Sequence, residues 1–266
     1  MADTAEPISG LGELTGRYDV LLCDVFGVLH NEGQAFPAAT AALTAFRACG
    51  GTVVLVSNAP EPGTRLVGSL AARGIAPAYD GVATAADVTR ILLKDQDRRT
   101  VLHIGPLRDR CLFEGLAIAF AEAETAELVV CTGYPETDHS RDLVLAVAFR
   151  RGLQMLCTNP DTRLVVGDKR LRFAGLVARR YRDIGGVVVE TGKPGGLIYG
   201  YCIAQAEAML DRAVDPSRVL GVGDTYALDV LGALARGFSA LHIGTDTPPP
   251  PGDSVGRLYQ MPALVW

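Results

Sequence analysis

Three aspartates have the types and placement needed to bind a divalent cation and to react with phosphorus. Asp24 ends the apolar run YDVLLCDV (18–25), and Asp224 and Asp229 share the segment GVGDTYALD after another apolar run. A carboxylate can attack phosphorus and form an aspartyl-phosphate. Two further carboxylates create an all-oxygen site, of which Mg²⁺ is the natural occupant. The sequence therefore predicts Asp24 as a nucleophile beside a Mg²⁺ site.

A second set of residues is suited to binding an anion. Ser57 and Asn58 end the apolar run TVVLVSN, and prolines follow where a helix would begin. A helix N-terminus beside a hydroxyl and an amide attracts phosphate. Lys193, in ETGKPGG, adds a compact positive charge. Strand-end polar residues also cap helices, and for Asn159 capping and function weigh equally.

Apolar runs alternate with amphipathic stretches along the chain, which predicts an α/β fold with a doubly wound parallel sheet covered on both faces. The predicted strands are 18–25, 52–58, 100–105, 127–133, 153–159, 217–224 and 238–244. The predicted helices are 37–49, 63–73, 84–94, 138–151, 195–210 and 226–236. In such sheets ligands bind beyond the carboxyl ends of the strands, where the polar residues above fall.

Composition narrows the possible partners. The net charge is −5 and the pI about 5.4 without a basic cluster, so no nucleic-acid partner is expected. The N-terminus lacks the pattern of a signal peptide, and no stretch approaches the ~18 apolar residues of a membrane helix. The six cysteines are far apart, without a CxxC pair, which predicts reduced core cysteines in a cytoplasmic protein.

Four short segments carry a family resemblance. DVFGVL, VSN, GKP and GDTYALD, in this order, resemble the four motifs of the haloacid dehalogenase superfamily. The long insert between the second and third motifs resembles class IIA, which contains nitrophenyl-phosphate, phosphoglycolate and pyridoxal-phosphate phosphatases. Matches at CTNPD (157–161) and TGKPGGLIYGYC (191–202) add to the resemblance, which covers roughly residues 17–245.

The resemblance implies a Rossmann-like core, formed by 1–83 plus 186–266, and an inserted α/β cap formed by 84–185. It implies a Mg²⁺-dependent phosphatase that acts on a small phosphorylated metabolite through an aspartyl-phosphate. It also implies metal binding by Asp24, by the main-chain carbonyl of Phe26 and by Asp224. Asp229 would hold the water shell of the metal or orient the lysine of the third motif.

The same motifs imply how the phosphoryl group is bound. Gly27, Ser57 and Asn58 are the predicted phosphate-binding residues, and Lys193 would neutralise the pair formed by Asp24 and phosphate. In such enzymes the cap sets substrate specificity.

Three residues of the insert are therefore expected to contact substrate, namely Asn159, Asp161 and Arg163, although Arg163 could equally be a solvated surface residue. Class IIA relatives often pair through their caps, so a homodimer is expected by resemblance.

Phe26 departs from the family pattern, which has a second aspartate two residues after the nucleophile. That aspartate protonates the leaving oxygen and later activates water, and phenylalanine can do neither. General acid–base help is worth ~10²–10⁴ in rate. Leaving groups that depart without a proton, such as aryl or acyl phosphates, would be least affected, and His30 or a cap residue could stand in.

Three interpretations remain open at the level of the sequence. The first is a phosphatase that is slow on alkyl phosphates. The second is a dehalogenase, which also carries an aromatic residue at this position, although the metal-type aspartates and the large insert argue against it. The third is a phosphate-ligand binding or regulatory module with little turnover.

Overall fold

The computed structural model describes residues 5–95, 100–135, 141–166, 169–246 and 255–266 of the chain. The chain divides into two compact units. The first contains the described residues up to Ser57, Thr64–Ala83 and those from Ile198 onward. The second contains Asn58–Gly63 and the described part of Thr84–Leu197. None of the helices in these described ranges is long and apolar enough to cross a membrane.

The strands are numbered in chain order. They are β1 (Glu6–Pro7), β2 (Val20–Asp24), β3 (Thr52–Ser57), β4 (Gly81–Thr84), β5 (Thr100–Ile104), β6 (Ala119–Phe120), β7 (Leu128–Cys131), β8 (Met155–Cys157), β9 (Arg163–Val166), β10 (Lys169–Arg172), β11 (Val188–Glu190), β12 (Val219–Gly223), β13 (Ser239–Ile243) and β14 (Leu258–Met261).

The α-helices are α1 (Pro37–Ala48), α2 (Gly63–Ala72), α3 (Ala85–Asp95), α4 (Arg141–Arg150), α5 (Ala174–Asp183), α6 (Gly196–Leu210) and α7 (Leu231–Leu234). Short 3₁₀ helices lie at Leu11–Leu14, Leu107–Phe113 and Pro216–Arg218, and a π-helical turn lies at Tyr226–Val230.

The first unit is organised by a seven-stranded sheet in the order β1-β14-β13-β12-β2-β3-β4. Strand β2 pairs in parallel with β3 on one side and with β12 on the other. The strand order therefore reverses between β2 and β12, and a crevice opens beyond the carboxyl ends of strands at such a point. All five residues of β2 are buried, as expected for a central parallel strand covered on both faces.

Helix α1 shows how the sequence covers this sheet. Pro37 occupies its first turn, where a missing N–H costs nothing. Ala39, Ala42, Leu43 and Phe46 are its buried residues and recur on one helical face. They belong to the same buried core cluster as apolar residues of β2 and β3, so α1 covers this part of the sheet.

The second unit has its own five-stranded parallel sheet, in the order β11-β8-β7-β5-β6, and a separate antiparallel hairpin of β9 and β10. These parallel strands, with the helices between them, confirm the predicted α/β class. Strand β11, which the sequence-based division assigned to the core, pairs in parallel with β8 of this sheet. The domain boundaries themselves remain a prediction.

The start of β2 is held by a charged cluster that should contribute measurably to stability. Asp19 accepts hydrogen bonds from Arg218 (2.5 Å) and Arg212 (2.7 Å). These guanidinium groups, Arg218 first, lower the pKa of Asp19 to about 2. A lowered carboxyl pKa stabilises the fold above the unfolded-state value and loses that effect as the pH falls toward 2.

We therefore expect Asp19→Asn to lower the free energy of unfolding by about 1–2 kcal/mol at pH 7. This is less than the lowered pKa alone would give, because solvent screens the partly exposed arginines. Urea unfolding at pH 7 and pH 3 measures this, and the gap between wild type and variant should narrow at pH 3. A gap of equal size at both values would contradict the assignment.

Candidate active site

Three carboxylates converge at the reversal point of the first sheet. Asp24 is the last residue of β2, Asp224 directly follows β12, and Asp229 lies in the π-helical turn. One ligand oxygen from each lies within 4.8 Å of the others, with Asp24 and Asp229 buried and Asp224 half-buried. Three negative groups this close, two of them out of water, need positive compensation, and an oxygen-only set of this kind suits Mg²⁺.

Gly27 allows Asp224 to approach the loop that follows β2. Its φ of +90° is a conformation that glycine adopts without strain. A Cβ on this residue would lie 2.0 Å from a carboxylate oxygen of Asp224. Gly27 therefore packs directly against Asp224, and a metal ligand from the Phe26 carbonyl stays a prediction. The sequence predicted Gly27 as a phosphate-binding residue, and that role stays a prediction.

Asp229 is held by the turn in which it sits. The Thr225 N–H donates to its carboxylate at 3.0 Å, and the Tyr199 hydroxyl donates to the Leu228 carbonyl at 3.1 Å. The predicted helix over 226–236 begins instead with a π-helical turn, Tyr226–Val230. Such turns recur at functional sites, and this one brings the Asp229 carboxylate back to the start of its own loop.

Phe26 packs on His30 within a tight turn. Their rings are perpendicular, with centroids 5.7 Å apart, and the Gly27 N–H donates to the His30 carbonyl at 2.8 Å. His30 is 8% exposed, and its Nδ1 donates to the Asn31 carbonyl at 2.9 Å. An imidazole thus lies against the side chain that replaces the second motif aspartate.

In the second unit, Asn58 holds the main chain of Lys193. The Lys193 N–H donates to Asn58 Oδ1 at 2.6 Å, and Asn58 Nδ2 donates to the Lys193 carbonyl at 3.0 Å. Gly192 makes this possible, since a Cβ there would lie 2.4 Å from Asn58 Oδ1. Both Asn58 and Lys193 are buried. Sequence reasoning missed this pairing because the residues are far apart in the chain.

Asn159 and Asp161 belong to the same hydrogen-bonded group. The Asp161 N–H donates to Asn159 Oδ1 at 3.2 Å, and Asn58 Nδ2 lies 3.4 Å from Asp161 Oδ2. Asp161 therefore lies beside Asn58, and Asn159 is connected to it through Asp161. The side chain of Arg163 falls outside the part of the chain that the structure describes. Ser57 is the last residue of β3, in the first unit, and is half-buried.

A second polar cluster, at the ends of β5 and β7, was missed in the sequence. His103 Nε2 lies 2.9 Å from the Thr132 hydroxyl. Burial raises the pKa of Asp109, and a hydrogen bond from Thr132 opposes that shift. Burial lowers the pKa of His103 to about 4, so the imidazole is neutral at pH 7. His103 within the run TVLHIG and Thr132 near the end of ELVVCTG were the available signal.

The cysteines correct one prediction. Cys23, Cys131, Cys157 and Cys202 are buried, as expected of core residues. Burial raises the pKa of Cys157 to about 12, so its thiol stays protonated. Cys49 is instead exposed, because it caps the C-terminus of α1, and Cys111 is only half-buried.

Comparison with known proteins places the chain in a family. Residues 21–119 match the family model described as haloacid dehalogenase-like hydrolase. The crystal structure of a haloacid dehalogenase-like hydrolase from Brucella suis 1330 is 35% identical, with a TM-score of 0.84 over 96% of this chain and 99% of that one. The chain therefore belongs to the haloacid dehalogenase-like hydrolase family, as its motifs predicted.

More distant structures share the fold across both units. A p-nitrophenyl phosphatase from Archaeoglobus fulgidus is 20% identical, with a TM-score of 0.71 over 92% of this chain and 96% of that one. NagD from E. coli K-12 is also 20% identical, with a TM-score of 0.70 and the same coverage. A search of curated proteins finds no match. The fold likeness extends through the inserted unit, as the class IIA resemblance predicted.

Proposed function

We propose that this protein is a Mg²⁺-dependent phosphatase that acts on a small phosphorylated metabolite through an aspartyl-phosphate on Asp24. The convergence of Asp24, Asp224 and Asp229 at the reversal point of the first sheet carries the proposal. Family membership supports hydrolysis, and two structures that share its fold are named as a p-nitrophenyl phosphatase and a possible sugar phosphatase.

The metal would be held by Asp24, Asp224 and the main-chain carbonyl of Phe26, with Asp229 ordering the water around it. When bound, Mg²⁺ would offset the negative charge of the carboxylates and of the phosphate. The close packing of Gly27 on Asp224 supports a ligand set drawn from both loops.

The covalent step belongs to Asp24. A carboxylate oxygen of Asp24 forms a bond to phosphorus as the bond from phosphorus to the leaving oxygen breaks, and the leaving group departs as an oxyanion that takes its proton from solvent where it needs one. Water then attacks the phosphorus of the aspartyl-phosphate, releases inorganic phosphate and regenerates the carboxylate, and the proton of the water passes to solvent. Asp24 is 8% exposed, which limits competing access of bulk water.

Phosphate binding is assigned by motif to Gly27, Ser57, Asn58 and Lys193. Since the Asn58 amide already pairs with the Lys193 main chain, we propose that this side chain orients Lys193 and that phosphate contacts from Asn58 come from its main chain. Lys193 then supplies the positive charge that phosphoryl transfer needs. Its burial makes that charge more effective than a surface lysine would be.

The second unit is proposed to act as the cap that selects the substrate. Asp161 presents a polar group beside Asn58, Asn159 is connected to it through Asp161, and both are proposed specificity residues. We also propose that two chains pair through this unit, as the resemblance implies.

Hydrolysis of para-nitrophenyl phosphate tests the function, because the nitrophenolate leaves without a proton and does not need the acid that Phe26 removes. We expect nitrophenol release with Mg²⁺, its loss with excess EDTA and its return when Mg²⁺ is restored. A protein that releases none with Mg²⁺, Mn²⁺ or Co²⁺ would refute the phosphatase.

Two further assays separate the alternatives. Halide release from 2-chloropropionate that survives EDTA would favour the dehalogenase. A phosphorylated ligand that raises the melting temperature without being hydrolysed would favour the binding module.

A further inference from the structure

Three threonine hydroxyls meet inside the second unit. Thr89 lies in α3, Thr158 directly follows β8 and Thr191 directly follows β11. All three are 0% exposed. The Thr89 hydroxyl lies 3.1 Å from that of Thr158 and 2.8 Å from that of Thr191. We call this group the hydroxyl triad.

A main-chain carbonyl indicates which hydroxyl donates in the triad, because a carbonyl oxygen can only accept. Thr89 donates to the Ala85 carbonyl at 2.8 Å, one turn earlier in α3. Its two lone pairs are then available to accept from Thr158 and from Thr191. Thr191 also has the Cys157 carbonyl at 3.3 Å, a longer alternative. Thr89 is therefore the shared acceptor at the centre of the triad.

Each outer threonine leads directly into a segment of the candidate site. Thr158 precedes Asn159, and Thr191 lies two residues before Lys193. We call residues 191–195 the Lys193 loop. Asn58 pairs with the main chain of this loop, and Thr89 binds the threonine at its start. The loop is thus held at two points by side chains from elsewhere in the chain.

An apolar set of side chains would fill the same interior volume without burying three hydroxyl groups, which are costly unless paired. The hydroxyls instead connect the ends of two neighbouring parallel strands to one helix. Hydrogen bonds also have preferred donor–acceptor angles, so the triad adds a directional constraint to the packing and fixes the two strand ends relative to each other.

We infer that Thr89 is a positioning residue that sets the Lys193 loop and the Asn159 segment together for phosphoryl transfer. The inference rests on the proposed function, in which Lys193 supplies the positive charge for phosphoryl transfer. Thr89 itself does not touch the reacting atoms. Its effect passes through Thr191 to Lys193 and through Thr158 to Asn159.

The test compares Thr89→Val with Thr89→Ser. Valine matches the shape of threonine but cannot accept from the two partners, whereas serine keeps the hydroxyl and loses only a methyl group. We expect kcat for para-nitrophenyl phosphate to fall about 10- to 100-fold in T89V, a range typical of small displacements of a catalytic group. We expect the kcat of T89S to stay within about 3-fold of the wild-type value, because the hydroxyl and its hydrogen bonds remain.

Val88→Ala provides the matched control. Val88 is the neighbouring residue of α3, is buried, and has no polar group to lose. Its truncation lowers stability through lost packing alone, so it should lower the melting temperature with little change in kcat. Equal losses of kcat in V88A and T89V, at equal loss of stability, would overturn the positioning role.

Amide hydrogen exchange supplies a readout that does not depend on turnover. The Lys193 N–H is protected by Asn58, and we expect its exchange to be faster in T89V than in T89S or V88A. Unchanged exchange at Lys193 in T89V would overturn the inference. If Lys193→Ala retains wild-type activity while exchange responds to T89V, the role assigned to Lys193 in the proposed function fails and the coupling of Thr89 to the loop stands.

Discussion

Replacement of Asp24 by asparagine is expected to abolish turnover while the fold remains intact. Asparagine has the same shape but is not a nucleophile, and loss of a covalent nucleophile commonly costs about 10⁴-fold or more in kcat. The variant also removes one of three negative charges that lie within 4.8 Å of one another. We therefore expect the metal-free variant to melt no lower than wild type and to gain less from added Mg²⁺.

Asp19→Asn is the matched control for this experiment, since Asp19 precedes the opposite end of the same strand. It removes a carboxylate without touching the acidic cluster, so kcat should stay near the wild-type value. Phosphate release measured with saturating Mg²⁺ compares the two variants. Near-normal turnover by D24N would disprove the assignment of Asp24 as the nucleophile.

Replacement of Phe26 by aspartate is expected to raise the rate on alkyl phosphates by about 10²-fold or more, in line with the usual worth of general acid–base catalysis. An alkoxide is a poor leaving group and needs a proton, whereas nitrophenolate does not. The gain on para-nitrophenyl phosphate should therefore be much smaller. Paired kcat/KM values for an alkyl and an aryl phosphate measure the difference.

Phe26→Asn separates the acid from the change in packing. Both substitutions remove the ring that packs against His30 at 5.7 Å, but only aspartate can exchange a proton with the leaving oxygen. Equal gains in F26N and F26D would attribute the effect to the lost ring. No gain on alkyl phosphates in F26D would mean that another group already supplies the proton, and His30→Phe would then be the next variant to assay.

The core of the fold could be predicted because its central strands lie in continuous apolar runs. Every predicted strand is found within a few residues of its predicted bounds, including the one that ends at Asp24. The carboxyl ends of parallel strands lie at one edge of a sheet, so Asp24 and Asp224 could be expected to converge.

Two of the missed elements carry polar residues within their apolar pattern. Strand β14 is only Leu258–Met261 and includes Gln260, and helix α5 contains ARRYRD, whose polar residues hide its buried face. Their burial depends on neighbours that are distant in sequence. Propensity carries little information over so few residues.

Interactions between distant residues could not be predicted at all. Asn58 pairs with a residue 135 positions later, and Thr89 with one 102 positions later. A single sequence shows neither pairing, because an asparagine at a strand end and a threonine in a helix are both ordinary. The order of the motifs therefore identified the candidate catalytic residues, whereas only the fold shows the hydrogen bonds that hold them in position.

The four buried cysteines form natural reporters of opening. Cys23 and Cys202 lie in the first unit and Cys131 and Cys157 in the second, and all are 0% exposed. A thiol reagent added in mild urea would react at once with the exposed Cys49, early with the half-buried Cys111, and with the four buried cysteines only as each unit opens. Mass spectrometry of the labelled peptides would therefore give a separate opening free energy for each unit, without any engineered probe.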